Sequence, residues 1–511
     1  MVQANRDLVR HIGDLMLETE RKSEENAKLR AENRELRSEN KKLKNRIEVL
    51  ERTMEERIRE SVENAVLEAT KPLLSKIAEQ EKEIQRLKAQ ANKDSTNSSK
   101  PPGSNGFKKI PNNREKSEKK QGGQNGHNGT RLNIPENLDE LVADGKAEHI
   151  IVSEVAEGEA YTSDWTIDLK VIPVFTERRR KTGQPPRIGY GPQLKTVVVY
   201  LLVIGLMSFK RVSQFFKEIS NNLITVSKAA LAEYNHIAAE KIDLSENIND
   251  LLNGKVINVD ETPTKTSERP NKFGALETAE NTTFQAYIRT YSNAKTTVLT
   301  VNPTKSEESV ITDNILTQFY GIVAQDNEAK FYNFGIANAT CGEHLTRDLK
   351  GMSDLQMLSW AAEVRDYFLE MNKHKKDDVR DGITICEPDL LRSFEDRYDG
   401  FITKGRLQLA AMNPKVFAYD ELRRMVNRLE KHKDNYMLFM RDYDVPFTNN
   451  QAERDLRHCK TKQKVSGCFR SRQGIKDYCK IRSFLDTANK RGQNLFLALQ
   501  SLFFSPEHAL V

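Results

Sequence analysis

Lys255-Val256-Ile257-Asn258-Val259-Asp260 and Gly321-Ile322-Val323-Ala324-Gln325-Asp326 decide the fold of this chain. Each is a short apolar run rich in β-branched residues that stops on an aspartate. Such a run reads as a strand with an acid at its carboxyl end. A third acid stands far downstream in Asn449-Asn450-Gln451-Ala452-Glu453-Arg454-Asp455-Leu456-Arg457, which opens a basic helical stretch. A carboxylate among arginines on a helix is a poor way to build a core. Two strand ends and one helix carrying three acids suit a two-metal phosphoryl-transfer site.

Around the two runs, residues 273–278, 284–290 and 297–301 read as hairpin-connected strands, 306–319 as a helix and 336–341 as a further strand. Strands in sequence, a helix, then a strand ending in an acid is the order of an α/β ribonuclease-H-like core. In an α/β sheet, chemistry gathers at the carboxyl ends of strands. The first core part spans 254–344. The charged, helix-forming sequence of 345–441 reads as a helical insertion, and 442–511 as the core's C-terminal helix with Glu453 and a basic tail. Taken singly, Asp260 and Asp326 could each cap a turn, and Glu453 could be a first-turn acid favoured by the helix dipole.

Composition sets the outer bounds. A chain of 511 residues has room for about three domains. Charged residues make up 30%, with a net charge of +6 that is unevenly spread. The five cysteines (Cys341, Cys386, Cys459, Cys468, Cys479) are scattered without a CxxC pair, which argues against a disulfide framework and for a reducing compartment. The polar N-terminus lacks a signal-peptide apolar stretch, and the apolar run at 197–207 is too short to span a bilayer. A soluble cytoplasmic protein is expected.

Residues 1–91 carry a heptad pattern. Leu8, Leu15, Leu29, Leu36, Leu43 and Leu50 occupy d positions, with Lys22 interrupting; Ile12, Asn26, Asn33, Asn40, Ile47 and Met54 occupy a positions. Asparagine at a weakens a coiled coil but fixes a two-stranded parallel register. The g-to-e pairs Glu25 with Arg30, Glu32 with Arg37, and Glu39 with Lys44 are attractive in a homodimer. A parallel homodimeric coiled coil is expected, set against a single long solvated helix. Pro72 is expected to break or restart it.

Residues 92–131 read as a flexible linker: 92–106 lack large apolar side chains and are full of turn formers, and a basic, glycine-rich tract follows. Its Lys108, Lys109, Lys119 and Lys120 could track phosphates, or be plainly solvated. Residues 132–190 read as a small β-containing module with a strand at 167–175. Residues 191–253 read as helices, one at 209–219 and another N-capped by Ser227. Such a pair is either a DNA-reading helix-turn-helix or merely packed. A small DNA-binding region is expected between the coiled coil and the core.

Asp260-Glu261-Thr262, Asn-Ser-Ser-Lys-Pro-Pro at 97–102, Gly122-Gly123-Gln124, Tyr190-Gly191-Pro192, and Asn449 to Arg457 with Ser466-Gly467-Cys468-Phe469-Arg470-Ser471 resemble the insertion-sequence sixty-six type (TnpC) of bacterial DDE transposase. The resemblance covers nearly the whole chain. It implies Asp260, Asp326 and Glu453 as the catalytic triad and metal ligands, in a DNA-associated cytoplasmic protein. Two departures stand out. Many members carry a cysteine zinc finger after the linker, whereas no cysteine precedes Cys341 here. Asp326 is followed by Asn327-Glu328 where an aromatic or histidine is expected. Cys341 and His344 form a Cys-x-x-His of the kind found near the second acid in several DDE groups. Two ligands do not complete a tetrahedral zinc site, so a structural or active-site supporting role is expected.

The carboxylates and the resemblance imply the same chemistry. Hard oxygen ligands select two Mg²⁺ (or Mn²⁺) ions, with Asp260 shared and Asp326 and Glu453 each completing one. Element ends would be cut and their 3′-hydroxyls joined to target DNA by in-line displacement. Arg454, Arg457, Lys460, Lys462 and Lys464 are candidate phosphate contacts, Arg457 foremost. Partners would be DNA, a second copy of the chain through the coiled coil, and accessory proteins of the element, with no membrane. Two other readings remain: a metal-dependent nuclease that cuts without joining, and a non-catalytic dimeric DNA-binding regulator.

Overall fold

The computed structural model describes residues 2–93, 134–152, 159–160, 162–177, 179, 188–268, 282–356 and 358–504. The linker lysines Lys108, Lys109, Lys119 and Lys120 and the expected strand at 273–278 lie outside these. Two units are distinguished, and the first is essentially one helix, α1 (Val2–Ala91). Contrary to expectation, α1 runs straight through Pro72. A proline forfeits one backbone hydrogen bond at a cost of about 3 kcal/mol, which interrupts a short helix more readily than one this long. The heptad leucines Leu8, Leu29, Leu36, Leu43 and Leu50 are all exposed, each at about half its surface or more.

In the second unit the first described helix is short, α2 (Leu138–Ala143). The expected strand at 167–175 does not form. Residues 162–177 have no regular structure, and Leu169, Val174 and Phe175 are exposed. An alternating apolar run becomes a strand only where a partner strand accepts its backbone hydrogen bonds, and none is present among the described residues.

Four helices follow: α3 (Pro192–Val203), α4 (Phe209–Ile219), α5 (Lys228–Lys241) and α6 (Ser245–Leu252). Helices α4 and α5 begin where sequence placed them. Ser208 accepts from the Arg211 amide and Ser227 from the Ala230 amide. The stretch between them, 220–227, exceeds the tight turn of a helix-turn-helix. Its asparagines Asn221 and Asn222 sit at positive φ. Helices α3, α4 and α5 pack with the last ones of the chain around Leu202, Val212, Leu231, Cys459, Ile481 and Leu485.

A five-stranded sheet forms the centre: β1 (Val256–Glu268), β2 (Thr282–Ser292), β3 (Thr297–Asn302), β4 (Ile322–Gln325) and β5 (Ala337–Thr340), in the order β3-β2-β1-β4-β5. The first three are antiparallel neighbours, while β4 and β5 run parallel to β1. Strand alternation sorts β1. Ile257 and Val259 join one core with Tyr291, Val323 and Phe331, and Val256 packs into another with Ile322 and Ala324. The helix expected over 306–319 is interrupted. Helix α7 (Glu307–Asp313) stops at Asn314, whose φ is 53°, and a single 3₁₀ turn follows.

Beyond β5 the expected helical insertion is α8 (Gly342–Gln356), α9 (Ser359–Arg380), α10 (Pro388–Ala411), α11 (Phe417–Lys431) and α12 (Lys433–Arg441). Trp360, Tyr367, Phe368, Tyr398 and Met437 form its centre. The chain then returns to the sheet as α13 (Asn450–Ser466), which packs on β1 and β2, followed by α14 (Arg472–Lys490) on β3 and α15 (Leu495–Phe503).

Candidate functional site

The parallel pairing of β1 with β4 ends at Asn258 opposite Ala324. Asp260 and Asp326 each lie two residues beyond that last pair. Asp260 does not end its strand, contrary to expectation. Antiparallel pairing with β2 carries β1 on to Glu268, so only its β4 side is free past Asn258. That one-sided edge also tolerates Pro263, which has no amide to donate.

Alternation sends the two adjacent acids of Asp260-Glu261 to opposite faces. Glu261 is buried among cations: it accepts from Arg289 Nη2 (3.0 Å) and Lys330 Nζ (2.6 Å), and Lys305 lies 3.3 Å away. Arg289 is itself fully buried and also bonded to Asp313. Glu261 is therefore neutralised structurally. Asp260 shares the face of Asn258, toward α13.

The turn after Asp326 explains its unexpected neighbours. Asn327 has φ 69°, a left-handed conformation that asparagine tolerates better than an aromatic or β-branched residue. Its side chain accepts from Tyr332 Oη at 2.8 Å. The Glu328 amide donates to Gln325 Oε1 at 2.7 Å.

The Cys-x-x-His stretch is more central than its sequence suggested. His344, in the first turn of α8, stands between two of the acids. Its Nδ1 is 3.4 Å from Asp326 Oδ1, and its Nε2 is 3.7 Å from Glu453 Oε1. Nδ1 also lies 3.4 Å from Cys341 Sγ. Burial alone would lower the imidazole, but its contacts with Asp326 and Cys341 outweigh this and raise it to about 11. Gly342 makes this approach feasible. A Cβ there would come within 2.2 Å of the Phe447 ring, and the Gly342 amide donates to Phe447 O at 2.8 Å.

Asn449 fixes Glu453 in place, a role sequence reasoning missed. Instead of capping α13, its buried side chain reaches β1. Nδ2 donates to Val259 O (2.8 Å) and Oδ1 accepts from Asn258 Nδ2 (3.0 Å). Its backbone amide donates to Cys341 Sγ at 3.2 Å. One residue thus ties the start of α13 to both β1 and the β5–α8 junction.

The Asp260 carboxyl feels the charges of the other two acids. Burial first, then the charge of Asp326 and more weakly of Glu453, raise the Asp260 carboxyl to about 7, while Lys460 pulls it down. Asp326 Oδ1 is buried and makes no hydrogen bond of good geometry among the described residues, its near neighbour being His344 Nδ1 at 3.4 Å. Mutually repelling, buried carboxylates suit a bound cation. The donor atoms of Asp326, Cys341 and His344 also lie within 4.8 Å of one another.

The candidate phosphate contacts divide by helix phase. Glu453, Arg457, Lys460 and Lys464 share one stripe of α13, and the three basic residues are exposed. Arg454 is exposed as well, and donates to Gln451 at 2.7 Å. Lys462 is not a phosphate contact. It continues the buried face of Ala452, Leu456 and Cys459, and its ammonium donates to Leu202 O (2.8 Å) and Met207 O (3.2 Å) beyond the end of α3. Burial lowers it to about 8.

Comparison with known proteins gives four findings. The family model described as Transposase IS66 family matches residues 187–477, more than half of the chain. A model described as a family of unknown function (DUF6444) matches residues 17–133. No curated protein matches. A chain of the crystal structure of the Mos1 strand transfer complex is similar at 11% identity over 50% of this chain and 80% of its own, with a TM-score of 0.10, too low to bear on the fold.

Proposed function

The chain belongs to the Transposase IS66 family, and from that premise we propose that Asp260, Asp326 and Glu453 form a two-metal DDE centre on a ribonuclease-H-like core. One observation carries this reading: Asp326 and Glu453 flank the two nitrogens of a single imidazole, and the charges of both are felt at Asp260. The strand order, with three antiparallel strands continued by two parallel ones, supports the core assignment.

The three carboxylates would hold two Mg²⁺ (or Mn²⁺) ions, which supply a lowered pKa for an attacking water or 3′-hydroxyl and stabilisation of the leaving oxygen. The chain's own residues do the rest. Asn449 sets the reach of Glu453 to β1. Lys460, close enough to be felt at Asp260, offsets phosphate charge at the centre. Arg457 and Lys464 extend that positive stripe along α13. His344, held by Asp326 and Cys341, balances the acids and keeps them apart.

The substrate would be the ends of an insertion sequence and the product their 3′-hydroxyls joined to target DNA. The exposed heptad leucines of α1 support a parallel homodimer that pairs two ends. Purified protein incubated with Mg²⁺, a DNA carrying the element's ends and a supercoiled target tests the reading. Joined products are expected; nicks without joining would leave a nuclease instead.

A further inference from the structure

Away from the acids, a cavity of 720 Å³ opens between α4, α5 and the α13–α14 junction. The first turns of three helices border it: α4 through Phe209 and Lys210, α5 through Lys228, and α14 through Gln473 and Gly474. Each helix start presents partial positive charge suited to phosphate, with one first-turn amide of each already met by its capping serine, Ser208, Ser227 or Ser471. Lys210, Lys228 and Arg470 add three exposed cations at the mouth. The acids on the lining are Glu233 and Asp477, and Asp477 is occupied by His236 (3.1 Å) and Gln473 (2.8 Å).

The interior differs from the mouth. Phe469 and Tyr478 are buried with ring centroids 5.4 Å apart, and Phe209 stands half-buried on the lining. Two buried polar atoms here, Tyr478 Oη and Asn235 Oδ1, have no hydrogen-bond partner among the described residues. An orphaned hydroxyl and an orphaned acceptor are costly unless a ligand meets them. An aromatic chamber with a hydroxyl and an acceptor, behind a cationic mouth, matches a nucleotide unit: base inside, phosphate outside.

Position agrees. Lys462 and Gln463 line the cavity from the helix that carries Glu453, and nine residues of α-helix span about 14 Å. Gln463 also donates to Pro263 O (3.2 Å) and the Phe469 amide to Lys265 O (3.0 Å), so the wall is stitched to the strand that bears Asp260. We propose that this cavity receives an unstacked nucleobase of a DNA strand whose backbone runs along α13 from the acidic centre. The inference rests on the DNA-processing reading above and names a second contact for the same substrate. Unstacking a base costs less in single-stranded DNA, so the site favours a frayed or displaced strand.

The test uses the full chain, without divalent metal, and two fluorescent twelve-nucleotide probes: oligothymidine and an abasic oligomer with the same phosphates. Oligothymidine is expected to bind about fivefold or more tightly, the scale of one base stacked on aromatic side chains. Ala232→Trp, at an exposed lining position, fills the cavity and should bring the two affinities together. Tyr478→Phe should reduce the preference without filling the cavity. Lys228→Gln should weaken both probes alike. Equal binding of both probes by the wild type overturns the base site while leaving DNA binding intact. A preference that survives Ala232→Trp in a folded protein also overturns it. Binding of neither probe would count against the DNA reading as well.

Discussion

Asn258 on β1 and Asn449 before α13 are joined amide to amide, Nδ2 to Oδ1, at 3.0 Å in the buried interior. Residues nearly two hundred positions apart thereby set where Glu453 stands relative to Asp260. Asn449→Ala removes this bond and the one to Val259 O, leaving buried polar groups unmet. A loss of about 1–3 kcal/mol in unfolding free energy is expected. Activity should fall further than stability explains, because Glu453 loses its anchor. Chemical denaturation alongside cleavage rates at a temperature where both proteins are folded separates the two effects.

Lys460 and Lys462 are two residues apart and should behave oppositely. Lys460 lies exposed on the Glu453 stripe, whereas Lys462 bonds the carbonyls of Leu202 in α3 and of Met207 just beyond it. Lys460→Gln should leave the melting temperature unchanged and reduce the slope of log affinity for DNA against log salt by about one. Lys462→Gln should lower the melting temperature and leave that slope as it was.

Lys375 on α9 offers a pH test remote from the acids. Its buried ammonium donates to Phe439 O (2.9 Å) and Val445 O (2.5 Å). Burial lowers it to about 8, against the opposing pull of Asp442 and Asp444. Between pH 8 and 10.5 the unfolded chain holds this proton and the folded chain has released it. More protons on the unfolded state mean that stability rises with pH across this window. The wild type should therefore gain on Lys375→Met by up to about 3 kcal/mol from pH 8 to pH 10.5. A difference that stays flat would show the ammonium unperturbed.

The leucines at d and asparagines at a make α1 a register-fixed dimer in our reading. The full chain should sediment as a dimer at micromolar concentration. Replacing Asn26, Asn33 and Asn40 together by leucine should stabilise the assembly while broadening its stoichiometry. A monomeric wild type would contradict the homodimer.

How much of this was legible in sequence depended on how local each cause is. Helix α4, the Ser227 cap and strand β4 follow from short-range periodicity and capping, and they stand where the pattern placed them. The extension of β1 past Asp260 was hidden because Thr262-Pro263-Thr264-Lys265 looks like a turn. It is a strand only because β2 pairs with it from one side. The same reasoning, in reverse, cost the expected strand at 167–175, which has the pattern but no partner. Lys462 was readable: it falls three residues beyond Cys459 on the apolar face of its helix. Asn449 was not, since its partners on β1 are remote along the chain and only the fold brings them together; for His344 the Cys-x-x-His spacing pointed to active-site support but not to its contact with the remote Glu453.

The most direct measurement is Mg²⁺-dependent cleavage of DNA bearing the element's ends by wild type, Asp260→Asn, Asp326→Asn and Glu453→Gln, each verified as folded. The wild type should cut, and each variant should lose at least about a thousandfold in rate, the scale of removing a principal source of transition-state stabilisation. Cleavage by any one of the three at the wild-type rate would contradict a shared carboxylate centre.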